Sequence, residues 1–277
     1  MREVYLSIDI KRRVTKFENM NQPIITYKKD RIGYLEMNRP EKRNALNAEM
    51  VEALKSAIAQ FEEDDEVKVM VIKAAGKVFC SGADLAYLQS LQINTYEENL
   101  EDSRKLKELF YKIYTSPKVI IAQIQGHAIA GGCGLATVCD FSFSVPEAKF
   151  GYTEVKIGFI PAIVKVFLIR KIGEGKAKQL LLDGDLITSQ EARQLGLINW
   201  IADADVLEEK VYNYAQKLIL QNSAQSMALT KEMIGRVQEK TLEEGLEYAA
   251  AMNAKARGTN DCQKGIAAFL NKETINW

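Results

Sequence analysis

The residues best placed to do chemistry lie in one run, Gly126-His127-Ala128-Ile129-Ala130-Gly131-Gly132-Cys133-Gly134, which continues through Leu135 to Asp140. Paired glycines let a backbone turn sharply and bring bare N–H groups close to a ligand. If a helix starts at that turn, its first N–H groups have no intrahelical partner and its dipole favours negative charge, so the turn can hold an oxyanion. A second chemistry, a Cys133 nucleophile with His127 as its base, lacks any pattern that would activate the thiol, and buried cysteines usually pack. His127 is the only histidine, which argues against a Ser-His-Asp hydrolase and a histidine-rich metal site. Cys80, Cys133, Cys139 and Cys262 form no CxxC pair, so neither a zinc site nor a disulfide framework is indicated and reduced thiols are expected.

The glycine run needs a strand before it and a helix after it. Val119-Ile120-Ile121-Ala122 predicts the buried strand. No charged side chain occurs from Val119 to Cys139, a length that could cross a bilayer, but Gln123, Gln125, His127 and the glycines interrupt it and favour an interior strand-turn-helix. Upstream, Ile24 to Tyr27 and Arg31 to Met37 predict strands joined at Asp30. Met50, Leu54, Ala57, Ile58 and Phe61 then share a helix face, with Asn47 as N-cap. Val67 to Ile72 predicts a buried strand, Gly76 to Asp84 an irregular segment, and Leu100, Leu106, Leu109, Phe110 and Ile113 a second amphipathic helix. This alternation runs to Trp200 and indicates an α/β core with parallel strands. Capping boxes at Thr188 to Glu191 and Thr241 to Glu244 mark helix starts, and everything after Ala204 reads as helical. The division expected is an extension over 1–20, a core over 21–204 and a helical region over 205–277, with Met1 and Met20 both candidate starts.

Composition narrows the function classes. Hydrophobic residues make up 47% of the 277 and charged ones 27%, as in a globular protein. Thirty-seven basic side chains balance thirty-seven acidic ones, which removes the general electrostatic case for nucleic-acid binding. Lys11, Arg12, Arg13 and Lys16 read as a solvated end. Arg2, Glu3, Asp9 and Lys11 break any secretion signal, so a cytoplasmic location is expected.

Four blocks together resemble the crotonase family, the enoyl-CoA hydratase/isomerase superfamily, over about residues 22 to 277. They are Asn38 to Asn47, Phe79-Cys80-Ser81-Gly82-Ala83-Asp84-Leu85, the glycine run into Cys139-Asp140, and Phe150 to Pro161. The resemblance implies an α/β spiral of strand-strand-helix units with a C-terminal helical trimerisation region. It implies an acyl-CoA substrate, no cofactor beyond that thioester, no metal, and assembly as a homotrimer or dimer of trimers. The backbone N–H groups of Ala83 and Gly131 would form an oxyanion hole. Lys42, Arg43, Ala45, Ser81, Asp84 and Leu85 would follow the CoA moiety, joined by Phe269 and Lys272, often from a neighbouring subunit. Asp84 has a second reading as a helix cap. Gly134, Tyr152, Pro161 and Ala162 would border the acyl group, and Ile163 to Ile169 either line an acyl tunnel or form a core helix.

Family members with two catalytic carboxylates carry the first on the helix after the glycine turn, where this sequence has Gly134. The second corresponds to Glu154. Hydration must place water's oxygen on the β-carbon and a proton on the α-carbon, which two carboxylates naturally assist, whereas a double-bond isomerase needs one mobile carboxylate. The order Thr153 to Ala162 nevertheless resembles a bacterial hydratase branch that includes methylglutaconyl-CoA hydratases. The reading is therefore hydration of a 2-enoyl-CoA, branched or not, with Glu154 as acid and base, helped by a backbone carbonyl or Tyr152. The space beside Gly134 is expected to admit a bulkier acyl group. The alternatives are a Δ3,Δ2-enoyl-CoA isomerase and a non-catalytic acyl-CoA-binding homologue.

Overall fold

A computed structural model describes residues 22–275 and Trp277. The expected extension over 1–20, its basic cluster and the choice of start lie outside the described residues. Strands β1 (Ile24–Lys29) and β2 (Ile32–Met37) pair antiparallel across a turn in which Asp30 and Arg31 both take positive φ. Helix α1 (Ala48–Glu63) starts at Asn47, whose side chain accepts the Met50 N–H at 2.9 Å. It buries Met50, Leu54, Ala57, Ile58 and Phe61, as their helical spacing requires. β3 (Val69–Ala74) and β4 (Val78–Cys80) follow, then α2 (Leu85–Ser90) and α3 (Tyr96–Thr115). The charge-free run becomes β5 (Val119–Ile124), β6 (His127–Ile129) and α4 (Gly131–Val138). Next come β7 (Phe141–Ser144), β8 (Lys149–Gly151), α5 (Val164–Ile172), α6 (Glu174–Asp183), β9 (Ile187–Thr188), α7 (Ser189–Leu195) and β10 (Trp200–Ile201). From Leu207 the described chain is helical: α8 (Leu207–Gln221), α9 (Ala224–Val237), α10 (Leu242–Arg257) and α11 (Asn260–Asn271).

The strands form two sheets, one of six in the order β1-β2-β3-β5-β7-β10 and one of four in the order β4-β6-β8-β9. Successive strands alternate between them: β3, β5 and β7 are parallel neighbours in the large sheet, and β4, β6 and β8 are parallel neighbours in the small one. Each strand-strand-helix repeat thus advances both sheets by one strand, which makes the chain a spiral. The segment expected to be irregular, Gly76 to Asp84, contains β4. Three residues are too few to show a period of two. The strand expected over Val67 to Ile72 runs instead over β3, starting and ending two residues later.

Buried polar side chains tie the spiral together. Asn44 is fully buried with φ 52°; its amide donates to the carbonyls of Ala75 at 2.9 Å and Val78 at 2.8 Å and accepts the Arg39 N–H at 2.9 Å. Lys68, also buried, donates to the Ile219 and Asn222 carbonyls at 2.6 Å each, ending α8 with a cation where the helix dipole is negative. Lys231 on α9 reaches Asp140 at 2.7 Å and the Ile113 carbonyl at 3.1 Å, docking the helical region on the core. Among the described residues no helix is long and apolar enough to cross a membrane. Asn44→Ala strands two buried carbonyls and one N–H, so a loss of about 3 kcal/mol is expected. Denaturant unfolding measures it, and an unchanged midpoint contradicts this role.

Candidate active site

Three segments meet at the carboxyl ends of β4, β6 and β8. Ala83 lies three residues past Cys80, Gly131 two past Ile129, and Glu154 three past Gly151. Pairing of Cys80 with Ala128 and of Ile129 with Gly151 sets those ends side by side. In parallel sheets this is the end where the connections leave backbone groups free to meet a ligand.

The Ala83 and Gly131 amides are fixed by their neighbours. Leu46 donates to the Gly82 carbonyl at 2.7 Å and accepts the Asp84 N–H at 2.9 Å. This parallel bridge uses the groups on either side of Ala83 and turns its own N–H away from Leu46. Gly131 is the first residue of α4, so its N–H has no intrahelical acceptor. The two turns touch. Gly82 sits at φ +89°, and a Cβ there would come within 2.8 Å of the Ala130 Cβ and 3.2 Å of the Gly131 nitrogen. A Cβ on Gly131 would lie 4.0 Å from the Ala83 nitrogen. Ala130 itself holds φ 51°, ψ −124°, a strained conformation for a residue with a side chain. Its N–H donates to the Gly151 carbonyl at 2.7 Å, which joins the glycine turn to the segment bearing Glu154.

Glu154 opens a short 3₁₀ turn, Glu154–Ile157. Its Oε2 is buried and has no hydrogen-bond partner among the described residues. Burial pushes its pKa above the ordinary carboxylate value, and a hydrogen bond from its own backbone N–H offsets this in part. A half-buried carboxylate with a free oxygen and a raised pKa suits proton transfer at neutral pH. Burial raises the Cys133 thiol to about 12, to which the Glu154 charge adds. His127 is exposed and accepts the Lys149 N–H at 3.1 Å. A Cys133–His127 nucleophile is thereby ruled out.

Backbone hydrogen bonds join Ala45 to the Lys42 carbonyl at 3.1 Å and, at the Ala83 turn, Leu46 to the Gly82 carbonyl, and Leu85 opens α2 two residues past Ala83. Ser81 donates to the Arg43 carbonyl at 3.1 Å, and Arg39 pairs with Asp84 at 3.2 Å. The Asp84 carboxylate pairs with Arg39 and accepts the Ala86 and Tyr87 N–H groups that begin α2, the helix cap that is its second reading. Tyr152 is corrected as a helper of Glu154. It is fully buried and its hydroxyl is hydrogen-bonded to Thr137 at 2.8 Å. The expected room beside Gly134 is also absent: a Cβ there would fall 2.1 Å from Val164 Cγ1 and 2.9 Å from Val164 Cβ. Pro161 is buried and Ala162 exposed just before α5. Within α5, Val164 and Leu168 are buried while Val166 and Ile169 face outward, a core helix with one apolar exposed edge. Phe269 and Lys272 stand apart at the end of α11, which packs on α9 and α10, and Phe269 is 83% exposed.

Sequence reading missed Lys171. It is half-buried, desolvation lowers its pKa, and it donates to the Thr137 carbonyl at 2.8 Å and the Cys139 carbonyl at 3.2 Å, closing the far end of α4. No motif marks it, since the partners are backbone carbonyls more than thirty residues earlier in the chain.

A family model, "Enoyl-CoA hydratase/isomerase", matches residues 27–277. A Thermus thermophilus protein named provisionally as an enoyl-CoA hydratase is 41% identical over 249 residues, covering 90% of this chain and 98% of that protein. Crotonyl-CoA hydratase of Syntrophomonas wolfei is 32% identical, over 92% of this chain and 97% of its own. Among solved structures, a Legionella pneumophila protein described provisionally as an enoyl-CoA hydratase/isomerase (crotonase) superposes with a TM-score of 0.83 at 37% identity, over 92% and 98% of the two chains. The chain belongs to the enoyl-CoA hydratase/isomerase family, and is an enzyme of that family.

Two outcomes are expected. A base must be ionised to act, so the rate should fall as pH drops through a Glu154 pKa lying above 4.5. A pH profile of kcat/KM tests this, and an acid limb at or below 4.5 contradicts it. Lys171→Met leaves two carbonyls unpaired and is expected to cost about 1–3 kcal/mol of stability. A thermal melt unchanged from wild type contradicts the clamp.

Proposed function

We propose that this enzyme hydrates a 2-enoyl-CoA thioester, with Glu154 as the one carboxylate and the Ala83 and Gly131 N–H groups as oxyanion donors. The observation that carries the reading is the unpartnered, buried Oε2 of Glu154, joined through the Gly151 carbonyl to the turn that presents Gly131. In the reaction Glu154 takes a proton from water as the oxygen bonds to the β-carbon. The π electrons of the double bond pass to the thioester oxygen, forming an enolate between the two amides. The protonated Glu154 then returns its proton to the α-carbon, so the net change is addition of one water. Donors aimed at an oxygen that gains charge stabilise the enolate more than the ground state, and losing one typically costs roughly 10²–10³-fold in rate.

A branched acyl group such as 3-methylglutaconyl remains within the proposal, although Val164 closes the space at Gly134. The same closure favours a second reading, a Δ3,Δ2-enoyl-CoA isomerase. There Glu154 removes an α-proton from a 3-enoyl-CoA and returns it to the γ-carbon. Exposed apolar side chains on α9 to α11, including Ile234, Leu242, Leu246, Ile266 and Leu270, support assembly into a homotrimer or a dimer of trimers.

The test offers crotonyl-CoA, 3-methylglutaconyl-CoA and a trans-3-enoyl-CoA separately in ¹⁸O-labelled water, to wild type and Glu154→Gln. Labelled water in a product of either 2-enoyl substrate, lost in Glu154→Gln, supports hydration by this carboxylate. Migration of the 3-double bond without label selects the isomerase, and full hydration by Glu154→Gln contradicts both.

A further inference from the structure

Arg39 stands just before Pro40, and its side chain reaches past its own segment to the residue after Ala83. Its backbone is fixed on both sides by Asn44, whose side-chain oxygen accepts its N–H at 2.9 Å and whose N–H donates to its carbonyl at 2.9 Å. The guanidinium then spans two acceptors: one nitrogen donates to the Ala45 carbonyl at 3.2 Å and another to Oδ2 of Asp84 at 3.2 Å. The Arg39 and Asp84 side chains are 18% and 14% exposed, so the pair is shielded from the screening that makes surface ion pairs weak. A planar fork also holds its two acceptors in a fixed relation, which the single ammonium of a lysine does not.

The Gly82 carbonyl and the Ala83 N–H belong to one planar peptide unit, so the aim of that N–H is set by the tilt of the plane. Leu46 donates to the Gly82 carbonyl at 2.7 Å and accepts the Asp84 N–H at 2.9 Å. Both bonds come from one residue, and a plane held along one line can still rotate about it. Apolar packing beyond Ala83 does not stop that rotation, because α2 buries none of its residues and Leu85, the first of them, is exposed. The restraints there are polar. Oδ1 of Asp84 accepts the Ala86 and Tyr87 N–H groups at 3.1 and 3.4 Å, Oδ2 is held by Arg39, and the Tyr87 hydroxyl donates to Asp102 on α3.

The geometry points to Arg39 as a positioning residue for the oxyanion hole: by tying Asp84 to the Ala45 carbonyl, it fixes the tilt of the Gly82–Ala83 peptide and with it the aim of the Ala83 N–H. This rests on the assignment of that N–H as an oxyanion donor. Arg39 acts through Asp84. Loss of the brace therefore weakens stabilisation of the enolate more than it weakens binding of the uncharged thioester.

Four proteins test this beside wild type: Arg39→Met, Arg39→Lys, Asp84→Asn and the double variant Arg39→Met/Asp84→Asn. Asparagine keeps an oxygen for the N–H groups of α2 and removes the charge. Two readouts are taken: kcat and KM for crotonyl-CoA, and the infrared carbonyl stretch of bound butyryl-CoA carrying ¹³C at its thioester carbon. The stretch reports the donors on the oxygen and needs neither turnover nor Glu154, so it decides alone where crotonyl-CoA is not turned over. Misaiming one donor costs less than the roughly 10²–10³-fold of losing it, so Arg39→Met is expected to lower kcat about tenfold with KM little changed. Its bound carbonyl stretch moves back towards that of free butyryl-CoA. Asp84→Asn shifts both readouts the same way, Arg39→Lys restores part of each, and the double variant is no slower than Arg39→Met because the two residues act as a unit. Wild-type kcat and stretch in Arg39→Met, a loss confined to KM, or single losses that multiply in the double variant overturn the proposal. If Arg39→Met does not fold, an unmoved stretch in both Asp84→Asn and Arg39→Lys overturns it. A wild-type stretch that does not shift on binding contradicts the oxyanion reading itself, whereas a shift that persists in Arg39→Met contradicts the role of Arg39 alone.

Discussion

Where Gly82 faces Ala130 there is room for a hydrogen atom and no side chain. With Gly82 at φ +89° and a notional Cβ 2.8 Å from that of Ala130, the two turns are locked face to face. Their amides can converge because neither turn can back away. Leu46 holds the first through a parallel bridge, the Gly151 carbonyl holds the second, and α4 is fixed at its far end by Lys171. The strain at Ala130 is held by its hydrogen bond to the Gly151 carbonyl and by Gly82 packed against its side chain. A side chain at Gly82 would crowd Ala130 and separate two donors whose value lies in their fixed aim.

The spiral supplies this geometry without a long-range designed contact. Each repeat places one strand in each sheet, so three consecutive repeats bring three strand ends of the small sheet to one edge. Ala83, Gly131 and Glu154 are equivalent positions of successive repeats, two or three residues past those ends. Backbone from two repeats and a carboxylate from the third complete the site. The site's precision therefore comes from sheet register, and loops need only be short.

Much of the scaffold is legible in the amino-acid sequence. The face of α1, the Asn47 cap, the strand at Val119 and the capping boxes at Thr188 and Thr241 are local signals, written within a few residues of where they act. β4 is not legible, because three residues carry no readable period. The glycine run announces an anion-binding turn by itself, but only the four ordered blocks tie it to Ala83 and Glu154. What fails is spatial: a missing side chain at Gly134 reads as a space, since nothing near it in sequence says that Val164 fills it. Tyr152 fails for the same reason, its hydroxyl being claimed by Thr137 fifteen residues earlier. Asp84 shows a local signal with two meanings, of which the cap prevails.

A crystal structure with a bound, unreactive acyl-CoA thioester tests the site most directly. The carbonyl oxygen should lie about 2.7–3.1 Å from both the Ala83 and Gly131 nitrogens, with the free oxygen of Glu154 facing the α- and β-carbons. A thioester oxygen bonded to other donors, or an acyl chain turned away from Glu154, would contradict it.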